Sequence, residues 1–443
     1  MNHFLSKHLI WYPAFYFRKQ KVWTSLEKYK KTQYYNRKRI RAFQFQAFKS
    51  ILSFSYNNIP FYRNKYKKAA IHPEDIKKLD DIKRIPILTK QELIENKGSI
   101  YNPYYSGKKF RRSTSGSTGI PFVFYKDPKS MEIMDAIQYR NYAWINIDIG
   151  YRQARFWGHP LNKISNTKIK IIDWLINRRR LSPFHLDEKT FQLNIKKIEN
   201  FKAQYLYGYA QSIFQFSQYY YNKKIDLSYL GLKGIILTGE MIFPNQIKMV
   251  KSVFGCEVVE EYGCTEIGII GFKCGFGNMH LMENLLVESI REKTDIGAGN
   301  VVVSELYGEL FPFIRYQIGD RGNVSTKECE CGRELPILEN LSGRKDDFIR
   351  CPNGKLTDPY VLEYIIDNMP KKYGAILQFR IIQKKIDLLE VIFVAENVSG
   401  NIKNYIIHEF KTHLSDDMNV NIDFIPEFGK DPSGKIRCFV SEI

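Results

Sequence analysis

Residues Ser113-Thr114-Ser115-Gly116-Ser117-Thr118-Gly119-Ile120-Pro121 form a run of hydroxyl side chains and glycines between Arg111-Arg112 and the strand-like Phe122-Val123-Phe124-Tyr125. Glycine allows successive backbone N–H groups to point into one concavity, and short hydroxylated side chains add donors without blocking an anion's approach. The composition suits a polyphosphate and makes ATP the first ligand expected. A flexible Ser/Gly linker would be longer and more repetitive, whereas this run leads straight into an apolar strand.

A second candidate loop is Pro432-Ser433-Gly434-Lys435-Ile436-Arg437. Gly429 and Gly434-Lys435 satisfy the G-x4-G-K part of the P-loop pattern, but Ile436 stands where a Ser or Thr should meet magnesium. Lys435 is therefore set apart from that motif and read with its own S-G-K-I-R context.

At 443 residues the chain exceeds one ordinary domain, so a large domain with a smaller companion is expected. With 44% apolar and 14% aromatic residues it can bury a sizeable core, and no apolar run approaches the roughly 18 residues of a membrane span. Pro13 and polar neighbours interrupt the apolar stretch Leu9 to Phe17, and no small-residue cleavage site follows, so no secretory leader is expected. The expected location is the cytoplasm.

Charge is uneven. Residues 1–112 hold 26 Lys/Arg against 7 Asp/Glu, leaving 41 against 40 for the remainder, so nearly all of the net +20 is N-terminal. Basic and aromatic residues interleave from Trp11 to Lys31 and from Tyr34 to Arg41, a composition suited to anionic lipid, nucleic acid or an acidic partner. The pattern lacks a clean amphipathic stripe, which favours a solvated helical face. No zinc-finger array, helix-turn-helix or RNA-binding signature accompanies it, so no nucleic acid is expected. Peripheral attachment to the inner membrane face stays open.

Residues 1–110 read as helical and connective, punctuated by Pro60, Pro73, Pro86 and Pro103. Beyond Ser113 the pattern alternates: Ile235-Ile236-Leu237 predicts a buried strand, Asn245 to Phe254 a helix, Glu257 to Glu260 the next strand, then a turn at Tyr262. Sheets of this αβ type bind ligands at the ends of their strands. After Gly343 a helix is expected near Tyr360 to Met369, two strands within Leu377 to Ala395, a helix near Ile402 to His413 and a strand at Val420 to Ile425.

Together these segments resemble the adenylate-forming (acyl-CoA synthetase) superfamily, more narrowly its phenylacetate-CoA ligase and CapK-like branch. Thr114 to Pro121 matches the T-S-G-S-T-G-x-P phosphate loop, and Tyr262-Gly263-Cys264-Thr265-Glu266 matches Y-G-x-T-E. Arg315-Tyr316-Gln317-Ile318-Gly319-Asp320 is similar to R-Y-x-x-G-D, Gly343-Arg344-Lys345-Asp346-Asp347 to the G-R-x-D-D hinge, and Ser433 to Arg437 to the terminal lysine loop. The resemblance implies a large αβ domain over residues 1–342 and a small mobile α+β domain over 343–443, hinged at Asp346. It also implies an ATP-dependent ligase that joins a carboxylate to AMP and passes the acyl group on.

The charge problem in that reaction is that two anions approach each other while negative charge builds on phosphoryl oxygens. By the match, Lys435 would bridge the carboxylate and the α-phosphate, and Glu266 would hold Mg2+. Thr265 and Thr114, Ser115, Gly116, Ser117, Thr118 and Gly119 would donate to phosphate oxygens. Tyr262 would stack on adenine beside Glu261, and Asp320 would accept from the ribose hydroxyls with Arg344 nearby. Gly239-Glu240, following the Ile235 strand, match a nucleotide-lining segment. Trp157, His159, Tyr207 and Tyr209 fall in segments that the resemblance places near the acyl pocket, where a small aromatic acid and a uronic-acid carboxyl are both open.

Seven cysteines without a secretory leader argue for reduced thiols. Cys274 and His280 are close in sequence, and Cys329-Glu330-Cys331-Gly332-Arg333 forms a knuckle that turns two thiolates onto one metal. Three sulfurs and one imidazole make a closed tetrahedral set, expected to hold structural Zn2+. Arg350-Cys351-Pro352-Asn353-Gly354 departs from the ligases' segment after the hinge and reads as a tight turn of the CapK-like kind. That resemblance implies a role in surface polysaccharide assembly, with CoA, an amine or a sugar hydroxyl as acceptor. A catalytically silent nucleotide-binding scaffold at an anionic membrane is the alternative.

Overall fold

A computed structural model describes residues 2–113, 122–157, 163–183, 188–291, 298–344, 349–354, 356–357, 375–396, 401–426 and 439–443, with 361, 362, 365, 369 and 373. The chain divides into two compact units: Met1–Ile290, Asn300–Ile318 and Asn323–Glu339 form the first, and Arg291–Gly299, Gly319–Gly322 and Asn340–Ile443 the second.

The first unit opens with helices, among them Val22–Thr32, Arg37–Asn58 and Pro60–Lys68. Their boundaries follow from local chemistry. Asn36 caps the second by accepting from the Arg39 N–H, and Pro60 supplies the fixed φ of a first helical turn. Further on, Thr89 and Glu92 form a capping box for Lys90–Glu95, and Asp127 caps Pro128–Tyr142 through the Ser130 N–H at 2.8 Å.

Strands β1 (Phe110–Ser113) and β2 (Val123–Lys126) pair antiparallel, with Ser113 opposite Val123. The large sheet is built from β3 (Gln153–Phe156), β4 (Arg178–Leu181), β5 (Tyr205–Tyr209), β6 (Gly234–Thr238), β7 (Glu257–Cys264), β8 (Gly268–Lys273), β9 (Met279–Leu281), β10 (Leu285–Ile290), β11 (Gly299–Glu305), β12 (Tyr316–Ser325) and β13 (Ile337–Arg344). Among the described residues its order is β10-β11-β12-β13-β9-β8-β7-β6-β5-β3-β4. The run β4-β3-β5-β6-β7 is parallel, and β5 and β6 are buried along their whole length, as a parallel sheet covered on both faces requires.

Period-2 alternation gives the two faces of this run opposite characters. Ala154, Phe156, Leu206, Ile235, Leu237 and Val258 face the core with Phe216 and Phe254 from the helices Ala210–Asn222 and Pro244–Phe254. Gln153, Arg155, Tyr205, Tyr207, Tyr209, Thr238 and Glu261 occupy the other face, which meets Pro128–Tyr142 through Tyr142 against Tyr205 and Tyr207.

The second unit contains a β-hairpin, β14 (Ile349–Arg350) with β15 (Leu356–Thr357), turned at Pro352-Asn353-Gly354 by a Gly354 N–H to Cys351 carbonyl bond of 2.9 Å. Strands β16 (Ala375–Lys385), β17 (Leu388–Glu396), β18 (Asn419–Phe424) and β19 (Phe439–Ser441) form a sheet of order β18-β17-β16-β19. Helix Ile402–His413 lays Ile402, Ile406 and Phe410 into a core with Ile381, Leu389, Val391 and Phe393. This is the α+β arrangement expected from the sequence; of the helix expected near residues 360–369, only Val361, Leu362 and Tyr364's neighbour Ile365 are described as helical.

One local expectation differs. Tyr262 lies within β7, paired with Gly271 of β8, and the turn follows at Thr265 to Ile267. A register shift between Tyr262 and Gly263 keeps the strand going: a Cβ at Gly263 would collide with the Gly268 carbonyl oxygen, so only glycine lets the two backbones close.

Candidate active site and cysteine cluster

The parallel strands of the first unit end side by side, at Trp157 after β3, Tyr209 in β5, Gly239-Glu240 after β6, and Glu261-Tyr262 in β7. Trp157 stacks on Tyr209 at 4.4 Å between ring centroids, with Tyr207 at 5.9 Å. Gly239 has φ +77° and would bring a Cβ to 3.2 Å from the Tyr209 ring, so backbone conformation and space both call for glycine. The Glu240 carboxylate accepts from the Gln211 N–H at 3.0 Å, at the first turn of Ala210–Asn222, where the helix dipole also favours a negative charge.

Glu261 accepts from Tyr207 Oη at 2.9 Å and Tyr142 Oη at 3.1 Å. Burial raises its pKa, against the opposing pull of those hydroxyls and of Arg155. The tyrosines in turn hold their protons more tightly than usual, again chiefly through burial.

Glu266 is buried in the turn after β7, and its Oε1 accepts from Tyr316 Oη at 3.2 Å. Its Oε2 makes no hydrogen bond among the described residues, leaving a carboxylate oxygen for a cation. Arg112, at the end of β1, donates to the Thr265 carbonyl at 3.2 Å. Burial lowers the Arg112 pKa, with Asp135, Cys264 and Glu266 acting against the fall. Tyr316 is fixed by Arg315, which forks onto Glu288 at 3.0 and 3.1 Å, and by paired backbone bonds between Leu88 and Arg315 and Gln317. Three sequence segments far apart in the chain thus meet within the first unit: the root of the hydroxyl-rich loop, the Tyr262–Glu266 motif and the start of Arg315–Asp320.

Thr114, Ser115, Gly116, Ser117, Thr118, Gly119, His159, Asp346 and Lys435 lie outside the described residues. Asp320 lies on β12 and Arg344 ends β13, both in the second unit. Sequence reasoning passed over Arg155, Tyr142 and Arg112. A charged residue inside a strand with buried flanking positions, as in Gln153-Ala154-Arg155-Phe156, was the available signal for Arg155.

Elsewhere in the first unit, Cys274, His280, Cys329 and Cys331 present ligand atoms that all lie within 4.8 Å of one another. Cys274 Sγ is 3.6 Å from Cys329 Sγ, and Cys331 Sγ 3.2 Å from His280 Nε2. Tight turns shape both arms: the Gly277 N–H bonds the Cys274 carbonyl at 2.9 Å, and the Gly332 N–H the Cys329 carbonyl at 3.2 Å. His280 Nδ1 faces the Leu335 carbonyl at 3.3 Å, which orients Nε2 toward the thiols. Burial pushes the His280 pKa down to about 4, so the imidazole is neutral, as a metal ligand must be.

Comparison with known proteins gives the likenesses of the chain. Residues 350–442 match the CapK C-terminal domain. The chain is 24% identical to Protein CapK of Staphylococcus aureus over 94% of this chain and 94% of that protein. It is 22% identical to the phenylacetate-coenzyme A ligase of Thermus thermophilus over 71% and 72% of the two. A solved 2-hydroxyisobutyryl-CoA ligase, in the postadenylation state with R3-HIB-AMP, superposes with a TM-score of 0.74 at 17% identity, covering 92% of this chain and 90% of that one. The chain is thus similar to CapK and to the phenylacetate-coenzyme A ligases, carries a CapK C-terminal domain, and shares the fold of the adenylate-forming CoA ligases.

Proposed function

We propose that this protein activates a carboxylic acid with ATP and transfers the resulting acyl group to CoA or another nucleophile, in the assembly of a surface polysaccharide. The observation that carries the reading is the convergence of Arg112, Thr265, Glu266 and Tyr316 at the carboxyl ends of the parallel strands. In the first half-reaction a carboxylate oxygen attacks the α-phosphorus, the bond to the β-phosphate bridge breaks, and pyrophosphate leaves. In the second, the acceptor adds to the acyl carbon and AMP leaves.

The Glu266 carboxylate would hold Mg2+, whose charge offsets that of the phosphates, while Tyr316 fixes its orientation. Thr114 to Gly119 and Thr265 would bind phosphate oxygens, Gly239, Glu240, Glu261 and Tyr262 would line the nucleoside side, and Asp320 and Arg344 would serve the ribose. Lys435 would bridge the carboxylate and the α-phosphate, with Asp346 as the hinge residue. Trp157, Tyr207 and His159 would border the acyl group. The polysaccharide assignment is supported by the CapK C-terminal match and the Pro352-Asn353-Gly354 turn.

Pyrophosphate release across a panel of carboxylic acids tests the reading. Some acid is expected to stimulate release, and Lys435→Ala to lower it by roughly 100-fold or more. Silence across a broad panel, with ATP still bound, would favour the scaffold reading instead. Cys274, His280, Cys329 and Cys331 would hold structural Zn2+, since four N/S ligands leave no open position for water.

Peripheral membrane attachment has its own support: Phe4, Leu9, Tyr16, Phe17 and Trp23 are exposed within the basic N-terminal quarter. Among the described residues no helix is long and apolar enough to cross a membrane. Co-sedimentation with anionic but not zwitterionic vesicles, lost as salt rises, is the expected sign.

A further inference from the structure

Arg155 stands out on the polar face of the parallel sheet. Its guanidinium carbon lies 4.2 Å from the Trp157 ring centroid and 4.8 Å from that of Tyr207. Its Nε is buried without a hydrogen-bond partner, and no ion pair or hydrogen bond reaches the guanidinium among the described residues. Strand register explains the placement: Arg155 sits opposite Tyr207 of β5 on one side and Arg180 of β4 on the other.

A desolvated cation normally acquires a carboxylate or several carbonyls, because an unpaired buried charge is costly. Here Glu261, an acid on the same face that feels the Arg155 charge, has both oxygens engaged by Tyr207 and Tyr142. Arg178 and Arg180 add positive potential from the neighbouring strand instead of relieving it. Aromatic rings against a guanidinium leave its N–H edge available for a planar, bidentate acceptor. The guanidinium belongs to the cluster of Trp157, Tyr207 and Tyr209, next to the Gly239 turn.

We propose that Arg155 determines acyl specificity by receiving a second carboxylate, carried by the acid that the protein activates. The inference rests on the carboxylate-activating reading above and narrows it: the substrate is a dicarboxylic acid or an acidic sugar derivative with two carboxyl groups, and a purely apolar acid is a poor fit. An apolar acid would leave the guanidinium unpaired, and a site built around a polar partner discriminates strongly against a substrate lacking it.

The test uses pairs of acids matched in size, one member with a second carboxylate and one with a methyl or amide there, such as succinate with butyrate and a carboxyphenylacetate with a tolylacetate. Two readouts are taken with the whole protein: kcat/KM for pyrophosphate release, and the shift in Tm caused by each acid in the absence of ATP. In at least one pair the diacid is expected to be preferred by about 100-fold or more in kcat/KM, with the difference carried by KM. Arg155→Met is expected to collapse that ratio to near one, and Arg155→Lys to restore part of it. Should no acid release pyrophosphate, the activation reading fails while the Tm arm still decides this one: diacids stabilise the native protein and their partners do not. Equal preference or equal stabilisation within every pair overturns the proposal. So does an unchanged ratio in Arg155→Met. If that variant does not fold, the native protein's preference decides alone.

Discussion

Asp135 sits between Arg18, at 3.9 Å, and the field of Arg112, yet its Oδ2 is buried without a hydrogen bond. Burial pushes its pKa up to about 6 from the usual 3.8, with the two arginines opposing the rise. A carboxyl whose folded pKa exceeds its unfolded one costs stability as it ionises. Native stability should therefore fall, relative to Asp135→Asn, as pH rises from about 4 through about 6, and the difference should level off by about pH 7. Thermal unfolding of both proteins across that range checks the slope. Glu266→Gln tests the neighbouring turn: the Tyr316 bond can persist while the charge proposed to hold a cation is gone, so the expected result is a nearly unchanged Tm and activity lower by about 100-fold or more. At this scale the sequence was informative wherever residue order carries the chemistry, as in Tyr262 to Glu266. It said little about Arg155 or Asp135, whose meaning comes from what faces them across strands and helices.

Elements were easiest to read where one period dominated. Ile235 to Leu237 lies within β6, and Asn245 to Phe254 within a helix that begins one residue earlier, at Pro244. The extension of β7 through Cys264 was not legible, because Gly263 reads locally as a turn residue and only its contact with Gly268 shows why it belongs in a strand. Gly263→Ala should therefore cost about 2 kcal/mol or more, measured by denaturant unfolding, far above the usual effect of an alanine in a strand. The cysteine knuckle makes a separate expectation. Cys274 lies in the loop before β9, Cys329 and Cys331 in the loop before β13, and His280 of β9 pairs with Ile337 of β13. Chelation, or Cys331→Ser, should lower Tm by roughly 5 °C or more and release about one zinc per chain by elemental analysis.

For the whole molecule, the αβ alternation and the C-terminal α+β order were legible in the hydrophobic period, while the adenylate-forming architecture was implied by the resemblance of the motifs. The long sheet order was beyond it: β10 to β13 each pair with the next strand in the chain, but β13 then returns to pair with β9, Ile337 opposite His280, and no local pattern announces that closure. The second unit has a core of its own, so Phe410→Ala should cost about 3–5 kcal/mol there. Hydrogen exchange in β16 and β17 would locate the loss.

The N-terminal helix Val22–Thr32 is bound to the rest of the first unit by buried polar contacts. Ser25 and the Lys21 N–H serve Glu132, the latter at 2.7 Å, and Thr32 donates at 2.7 Å to Glu283, whose other contacts are to Arg140. A clone begun after Asn36 would strip two interior carboxylates of these donors and bare the apolar groove beneath the missing helix. Such a shortened product is expected to precipitate on expression, so the cationic segment can be dissected only by point changes at its solvent side, never by deletion.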